Sequence, residues 1–141
     1  MKALRIDLQD FAMGLTWHSD SYDSAHYLDT ETGEVFFIGD GVDEELIPPD
    51  FQDNPRYVRI DTLESSDAFR IMEDFVETVE NAAMAKRLAS ALDRPKPFRR
   101  FKDTLFDDEG LREAWYAFER EAHRKIGTKW CAGRGIAVEW A

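Results

Sequence analysis

Cysteine and long apolar runs are what this sequence most lacks. Cys131 is the one cysteine among 141 residues, which excludes an internal disulfide framework and a multi-cysteine zinc site. No apolar run approaches the roughly 20 residues that a membrane-spanning helix needs. The N-terminal sequence MKALRIDLQDF lacks the uninterrupted apolar stretch of a signal peptide. We therefore expect a soluble cytoplasmic protein that does not associate with a membrane.

Recognisable catalytic motifs are also absent. The sequence contains no G-x-S-x-G, no Walker A motif and no G-x-G-x-x-G. Lys129 and Arg134 lie close to Cys131 in sequence and could lower its pKa, but we favour a half-buried structural thiol. His123 falls on the polar side of a predicted helix, where a solvated histidine is expected. We expect no catalytic residue, no enzymatic activity and no cofactor.

One segment has the residue types of a metal site. His18, Asp20, Asp23 and His26 place two imidazoles and two carboxylates within nine residues, a ligand set suited to zinc or iron. Their spacing matches no established metal motif, and the segment is polar, as loops are. We therefore interpret this segment as a loop and predict no bound metal.

Charge is abundant and unevenly divided. The chain carries 18 basic and 29 acidic residues, a net charge of −11. Residues 1–80 hold 5 basic and 20 acidic residues, a net of −15, whereas residues 81–141 hold 13 basic and 9 acidic residues, a net of +4. The overall sign disfavours non-specific nucleic-acid binding, because most of the surface repels phosphate. It does not exclude a basic surface on the C-terminal part.

The basic residues concentrate in one short segment. Within nine positions lie five cations, which form the predicted binding surface: Arg94, Lys96, Arg99, Arg100 and Lys102. Phe98 and Phe101 interleave with them, so on a helix the two aromatics share a face while the cations point outward. Arginine can bind phosphate in a bidentate manner. Two other interpretations stay open: the cations pair with the acidic half of the chain, or the aromatics are ordinary core residues.

Apolar periodicity predicts an α+β fold. Residues Tyr27 to Ile38 are typical of a β-hairpin, because two apolar segments flank a connection that contains Gly33. This hairpin is expected to build a small, mostly antiparallel sheet of three or four strands, and Tyr57–Ile60 and residues 136–140 are further strand candidates. Helical spacing predicts a helix capped by Asp7 and a C-terminal set of helices over residues 66–132, against which the sheet packs.

The length of the chain predicts one domain. Within that single domain, 1–141, residues 1–61 form an acidic α/β half that contains the hairpin, and residues 62–141 form a mainly helical half. The prolines at 95 and 97 are expected to end one helix, because proline cannot continue the hydrogen-bond ladder.

Several segments, taken in order, resemble a known family. They are YLDTETGEVFFI, RYVRI, AFRIMEDFVETV, FRRFKDTL and LREAWYAFEREA, and they are similar to Uncharacterised Protein Family 0158, a group of small bacterial proteins without an assigned activity. The resemblance implies a bacterial source and one compact domain, and it transfers no catalytic residue. Family members often carry glycine where this chain has Arg94-Pro95-Lys96-Pro97, so the prolines are expected to stiffen this linker.

These observations favour binding over catalysis. The function expected is a non-catalytic protein-interaction or regulatory binding module, with another protein as its partner. The alternative is weak nucleic-acid binding through the basic helix around Phe98–Lys102, which the net charge disfavours. A third class, an enzyme, would require a cleft with perturbed carboxylates or histidines.

Overall fold

The computed structural model describes residues 3–18 and 24–141, and these form two compact units. The first unit contains the chain up to Leu63 together with His123–Ala141, and the second contains Glu64–Ala122. Each unit buries its own cluster of apolar side chains. That the whole chain is a single domain stays a prediction.

The main sheet lies in the first unit and has three antiparallel strands. These are β2 (Ala25–Asp29), β3 (Val35–Ile38) and β4 (Tyr57–Arg59), in the order β3-β2-β4. The hairpin prediction is therefore confirmed, and the third strand pairs with its first arm. Gly33 adopts a φ of +83° in the turn, where a Cβ would collide with the carbonyl oxygen of Arg5.

A second sheet has two strands, of which the sequence predicted one. β1 (Leu4–Ile6) pairs in parallel with β5 (Val138–Trp140). The tail is thus a strand, as expected, but it belongs to a separate sheet from the hairpin. The partner strand was missed because three residues with a central arginine give almost no periodic signal.

The apolar cluster of the first unit gathers residues from both ends of the chain. Helix α1 (Leu8–Leu15) follows Asp7, whose Oδ1 accepts a hydrogen bond from the Asp10 backbone N–H at 3.0 Å, as the predicted cap requires. Phe11 lies edge-on to Trp130 and Trp140, with ring centroids 5.4 and 5.3 Å away. The fully buried members of this cluster are Ile6, Phe11, Leu15, Leu28, Ile60 and Cys131.

Four helices account for most of the second unit. They are α2 (Ser65–Thr78), α3 (Ala82–Leu92), α4 (Pro97–Phe106) and α5 (Glu109–Ala132), the last of which continues into the first unit. Helix α3 begins after Asn81, whose Oδ1 accepts a hydrogen bond from the Met84 backbone N–H. Glu64 occupies the N-cap position of α2.

The second unit is held by an aromatic cluster. The Trp115 ring lies 5.3 Å from Phe75 and 5.0 Å from Phe101, centroid to centroid, and so joins α2, α4 and α5. Its buried members are Met72, Phe75, Leu88, Leu92, Phe101, Leu105 and Trp115. Together with the small sheets of the first unit, these helices confirm the α+β prediction. Within the described ranges, no helix combines the length and apolar composition needed to cross a membrane.

One half-buried ion pair fixes the connection between β3 and β4. Arg56 donates from Nε and Nη2 to the two carboxylate oxygens of Asp29, each at 2.8 Å, and its Nη1 lies 3.1 Å from Glu31. These bonds, with backbone N–H donors from Glu31 and Thr32, lower the pKa of Asp29 from 3.8 to about 2, although burial opposes the shift. The pair ties the start of β4 to the hairpin turn.

The helical core generates a stability prediction with a matched control on one helix. Phe101→Ala should lower the free energy of unfolding by about 3–5 kcal/mol, because Phe101 is fully buried. Phe106→Ala, on an exposed position of α4, should change it by less than about 1 kcal/mol. Urea denaturation followed by circular dichroism measures both, and equal losses would contradict the observed rotation of α4.

The Asp29–Arg56 pair generates a pH prediction. Because the folded pKa lies below the unfolded one, the pair stabilises the fold above pH 3.8, and this stabilisation is lost as pH falls towards 2. Asp29→Asn should therefore lower the free energy of unfolding by about 2 kcal/mol near neutral pH. The difference from wild type should shrink steadily in urea titrations carried to about pH 2, and a difference independent of pH would refute the role assigned to the carboxylate.

Candidate functional site

An open cleft of about 760 Å³ lies between α3 and α4, entirely within the second unit. On one side of the cleft, the lining side chains of α3 and the residues after it recur every three or four positions, so they share one helical face. The α4 side does the same. The lining residues are Ala83, Lys86, Arg87, Ser90, Ala91 and Arg94 on one side, and Arg100, Asp103, Thr104 and Asp107 on the other.

The cleft contains charges of both signs. Arg87 and Asp107 form an ion pair, with Nη2 2.7 Å from Oδ2, and both side chains are more than half exposed. Such a pair contributes little to stability but orients the arginine and neutralises its charge. Lys86, Arg94 and Arg100 add three exposed cations to the lining, so the cleft has an excess of positive charge over Asp103.

Arg100 is held in place by the turn that precedes α4. Its Nε donates to the Pro95 carbonyl oxygen at 2.8 Å, and its own carbonyl oxygen accepts from the Thr104 hydroxyl at 2.9 Å. The hydrogen bond to Pro95 orients the guanidinium of this exposed side chain. An ordered side chain loses less conformational entropy when it binds.

The turn itself has an unusual backbone. Lys96 has φ 58° and ψ 54°, the left-handed conformation, and is the one non-glycine residue with positive φ in the described part of the chain. Pro97 follows at the first position of α4, where its fixed φ suits a helix, and it disfavours the right-handed conformation for Lys96.

The structure separates the five predicted binding residues. Arg94 and Arg100 line the cleft, Lys96 occupies the turn, and Lys102 lies on another side of α4, near Glu119. Arg99 is exposed on α4.

Two cations of the cleft, Lys86 and Arg87, were not predicted. Their signal was present, because Lys86, Ser90 and Arg94 recur every four residues along one face of α3 and the residues after it, but no single-helix pattern shows which helix lies opposite.

The interleaved aromatics belong to the core. Phe101 is fully buried, and Phe98 is partly buried, with its ring 6.4 Å from that of Phe69. Both side chains pack inward from α4. The structure therefore supports the interpretation of Phe98 and Phe101 as core residues.

Two potential reactive groups lie outside the cleft. His123 is 7% exposed, so the prediction of a solvated histidine is wrong, and burial lowers its pKa. Neighbouring residues in the fold cover His123. The polar sequence pattern of its own helix does not reveal this burial. Cys131 is fully buried, and burial raises the pKa of its thiol although Arg134 partly opposes this. Buried thiols of this kind are chemically inert.

The segment from His18 to His26, which has the residue types of a metal site, ends in a strand. His26 lies in β2, buried beside the rings of Trp17 and Phe37, so the prediction of a loop is wrong at this residue. Burial lowers the pKa of His26, and Asp10 opposes that shift. His18 is exposed, whereas Asp20 and Asp23 lie outside the described residues. Among the residues that are described, no three histidine, cysteine or acidic side chains are grouped to hold a metal.

Comparisons with known proteins agree on one relationship. The model of the uncharacterised protein family UPF0158 matches residues 1–138. A UPF0158 protein from Pseudomonas aeruginosa is 30% identical over 137 residues, which cover 96% of this chain and 87% of the relative. The resemblance inferred from the sequence segments is thereby confirmed. No solved structure matches the chain at a significant level.

The left-handed conformation of Lys96 generates a prediction about stability. Lys96→Val should lower the free energy of unfolding by about 1–2 kcal/mol, because a β-branched residue is disfavoured in the left-handed conformation. Lys96→Gly removes the same charge without that strain and should change the free energy by less than about 1 kcal/mol. Chemical denaturation of both variants measures this, and equal losses would contradict the left-handed geometry.

Proposed function

We propose that this chain, which belongs to the uncharacterised protein family UPF0158, is a non-catalytic cytoplasmic protein-interaction module. Its site is the α3–α4 cleft, and its ligand is an acidic segment of another protein. The observation that carries the proposal is the composition of this cleft, in which Lys86, Arg94 and Arg100 surround a lining of small residues.

The geometry of the cleft favours an extended peptide. Ala83, Ser90 and Ala91 leave room for a backbone to approach α3 closely. An arginine fork binds a carboxylate through two parallel hydrogen bonds, and Arg100 is already oriented by Pro95. A peptide also supplies backbone N–H donors, which suit the Asp103 carboxylate in the same lining.

The same composition disfavours nucleic acid as the ligand. Asp103 and Asp107 would face a phosphate backbone, and Asp107 already neutralises Arg87. The net charge of −11 opposes phosphate at long range as well. The aromatics interleaved with the basic residues of α4, Phe98 and Phe101, pack into the core and do not line the cleft.

The residue types at the site support the proposal of a non-catalytic role. Nucleophilic catalysis needs a serine, threonine or cysteine activated by a nearby base. The described residues that line the cleft offer the hydroxyls of Ser90 and Thr104 but no histidine, and the Thr104 hydroxyl already donates to Arg100.

Site-specific cross-linking in the native host tests this function. A photo-reactive amino acid at Ser90, inside the cleft, should yield protein adducts that survive nuclease treatment. The same residue at Glu73, exposed on α2, serves as the position control. Arg94→Glu/Arg100→Glu should reduce the Ser90 adducts about tenfold, because like charges would face the ligand. Arg70→Glu/Arg120→Glu, a matched reversal outside the cleft, should not.

The outcomes separate the two classes of ligand. Adducts that disappear with nuclease, together with salt-sensitive retardation of a nucleic-acid probe by wild type alone, would replace this proposal with nucleic-acid binding. Adducts of equal yield at Ser90 and Glu73 would refute the cleft as the site.

A further inference from the structure

A second, smaller cavity lies on another side of α4, between α4 and α5. It encloses about 170 Å³, which is the space of five or six water molecules. Leu105 and Trp115 form its floor, and each is only 3% exposed. Both belong to the second unit, as does every other residue that lines the cavity.

The walls of this cavity are unusually exposed for large apolar side chains. Phe106 is 63% exposed and Tyr116 is 50% exposed. Exposed aromatic side chains beside a buried apolar surface are typical of anchor sites in protein interfaces, where the partner buries them.

The rim of the cavity carries more positive than negative charge. The guanidinium of Arg112 lies 5.2 Å from the centre of the Phe106 ring, and Lys102 stands close enough to Glu119 to influence its carboxylate. Burial raises the pKa of Glu119, and Lys102 opposes that shift. An occupant therefore combines an apolar group for the floor with negative charge for the rim.

We propose that this cavity receives one large apolar side chain of the same acidic partner segment that binds the α3–α4 cleft. The inference rests on the proposed function and adds to it, because it gives the partner a specific chemistry: carboxylates with a leucine-sized residue among them. Arg100 and Lys102 border one site each and lie two residues apart on α4, which places them about 200° apart around its axis, so a segment that fills both sites passes over the exposed side of α4. Carboxylates bound by the cleft would give affinity and orientation, and the apolar anchor would give selectivity among acidic segments.

Two labelled peptides test this inference. Both alternate acidic residues with glycine, and they differ only at the central position, which is leucine in one and serine in the other. Fluorescence anisotropy should show that wild type binds the leucine peptide about tenfold more tightly, as expected for partial burial of that side chain. In protein labelled with 5-fluorotryptophan, the Trp115 resonance, assigned from Trp115→Phe, should shift with the leucine peptide and not with the serine peptide.

Variants of the protein test whether the preference for the leucine peptide arises at this cavity. Phe106→Ser should reduce the leucine preference to about twofold or less, because one wall of the cavity is lost. Met13→Ser removes a comparably exposed apolar side chain in the first unit, 53% exposed, and should leave the preference intact. Arg94→Glu/Arg100→Glu should weaken both peptides while the preference persists.

Each alternative outcome decides a different point. Equal affinity for the two peptides overturns this inference and leaves the cleft proposal standing. A leucine preference that survives Phe106→Ser overturns it as well. If neither peptide binds, both proposals fail.

Self-association is tested separately. This chain itself presents Leu46, 76% exposed and preceded by Glu44 and Glu45, so a second copy could offer the same chemistry. If sedimentation shows a dimer that both Leu46→Ser and Phe106→Ser abolish, the occupant is a second copy and the proposal of another protein is overturned.

Discussion

Burial of Phe101 and Leu105 is the constraint on which the functional surface depends. Both side chains enter the aromatic cluster around Trp115, and this fixes how α4 is rotated about its axis. Because neighbouring positions on a helix point about 100° apart, fixing the buried face assigns every other side chain of α4 to a direction. Arg100 then faces α3, whereas Lys102 faces α5. Packing energy inside the unit thus determines where charge appears on its surface.

The turn before α4 adds a second constraint. A left-handed Lys96 between two prolines has few alternative conformations, and the Arg100 side chain bonds back to this turn. The backbone strain is small compared with what the buried aromatics contribute, so the unit tolerates it. The result is a cleft in which the guanidinium of Arg100 is oriented by the turn, which would reduce the entropic cost of binding the proposed acidic segment.

The first unit uses charge in a different way. Asp29 and Arg56 satisfy one another in a half-buried site, with the backbone N–H groups of the hairpin turn as further donors. Removing one partner leaves the other without its two hydrogen bonds, so the pair both stabilises the fold and specifies the position of β4. The acidic character of this half of the sequence is therefore partly structural, while the mixed charges of the α3–α4 cleft remain available to a ligand.

The sequence alone determined those features that depend on residues close to one another in the chain. The hairpin, the cap by Asp7 and the apolar faces of the helices all follow from local spacing and local hydrogen bonds. It also predicted Arg94 and Arg100 as binding residues, and the structure places both in the α3–α4 cleft, but the sequence could not separate them from Lys102, which lies elsewhere. The tertiary structure alone decided three things: that β1 pairs with the tail, that His123 is buried, and that Lys86 and Arg87 face Arg100. The physical reason is that each of these depends on packing between segments far apart in the chain, whereas the period of a single helix or strand records only which of its own faces is apolar.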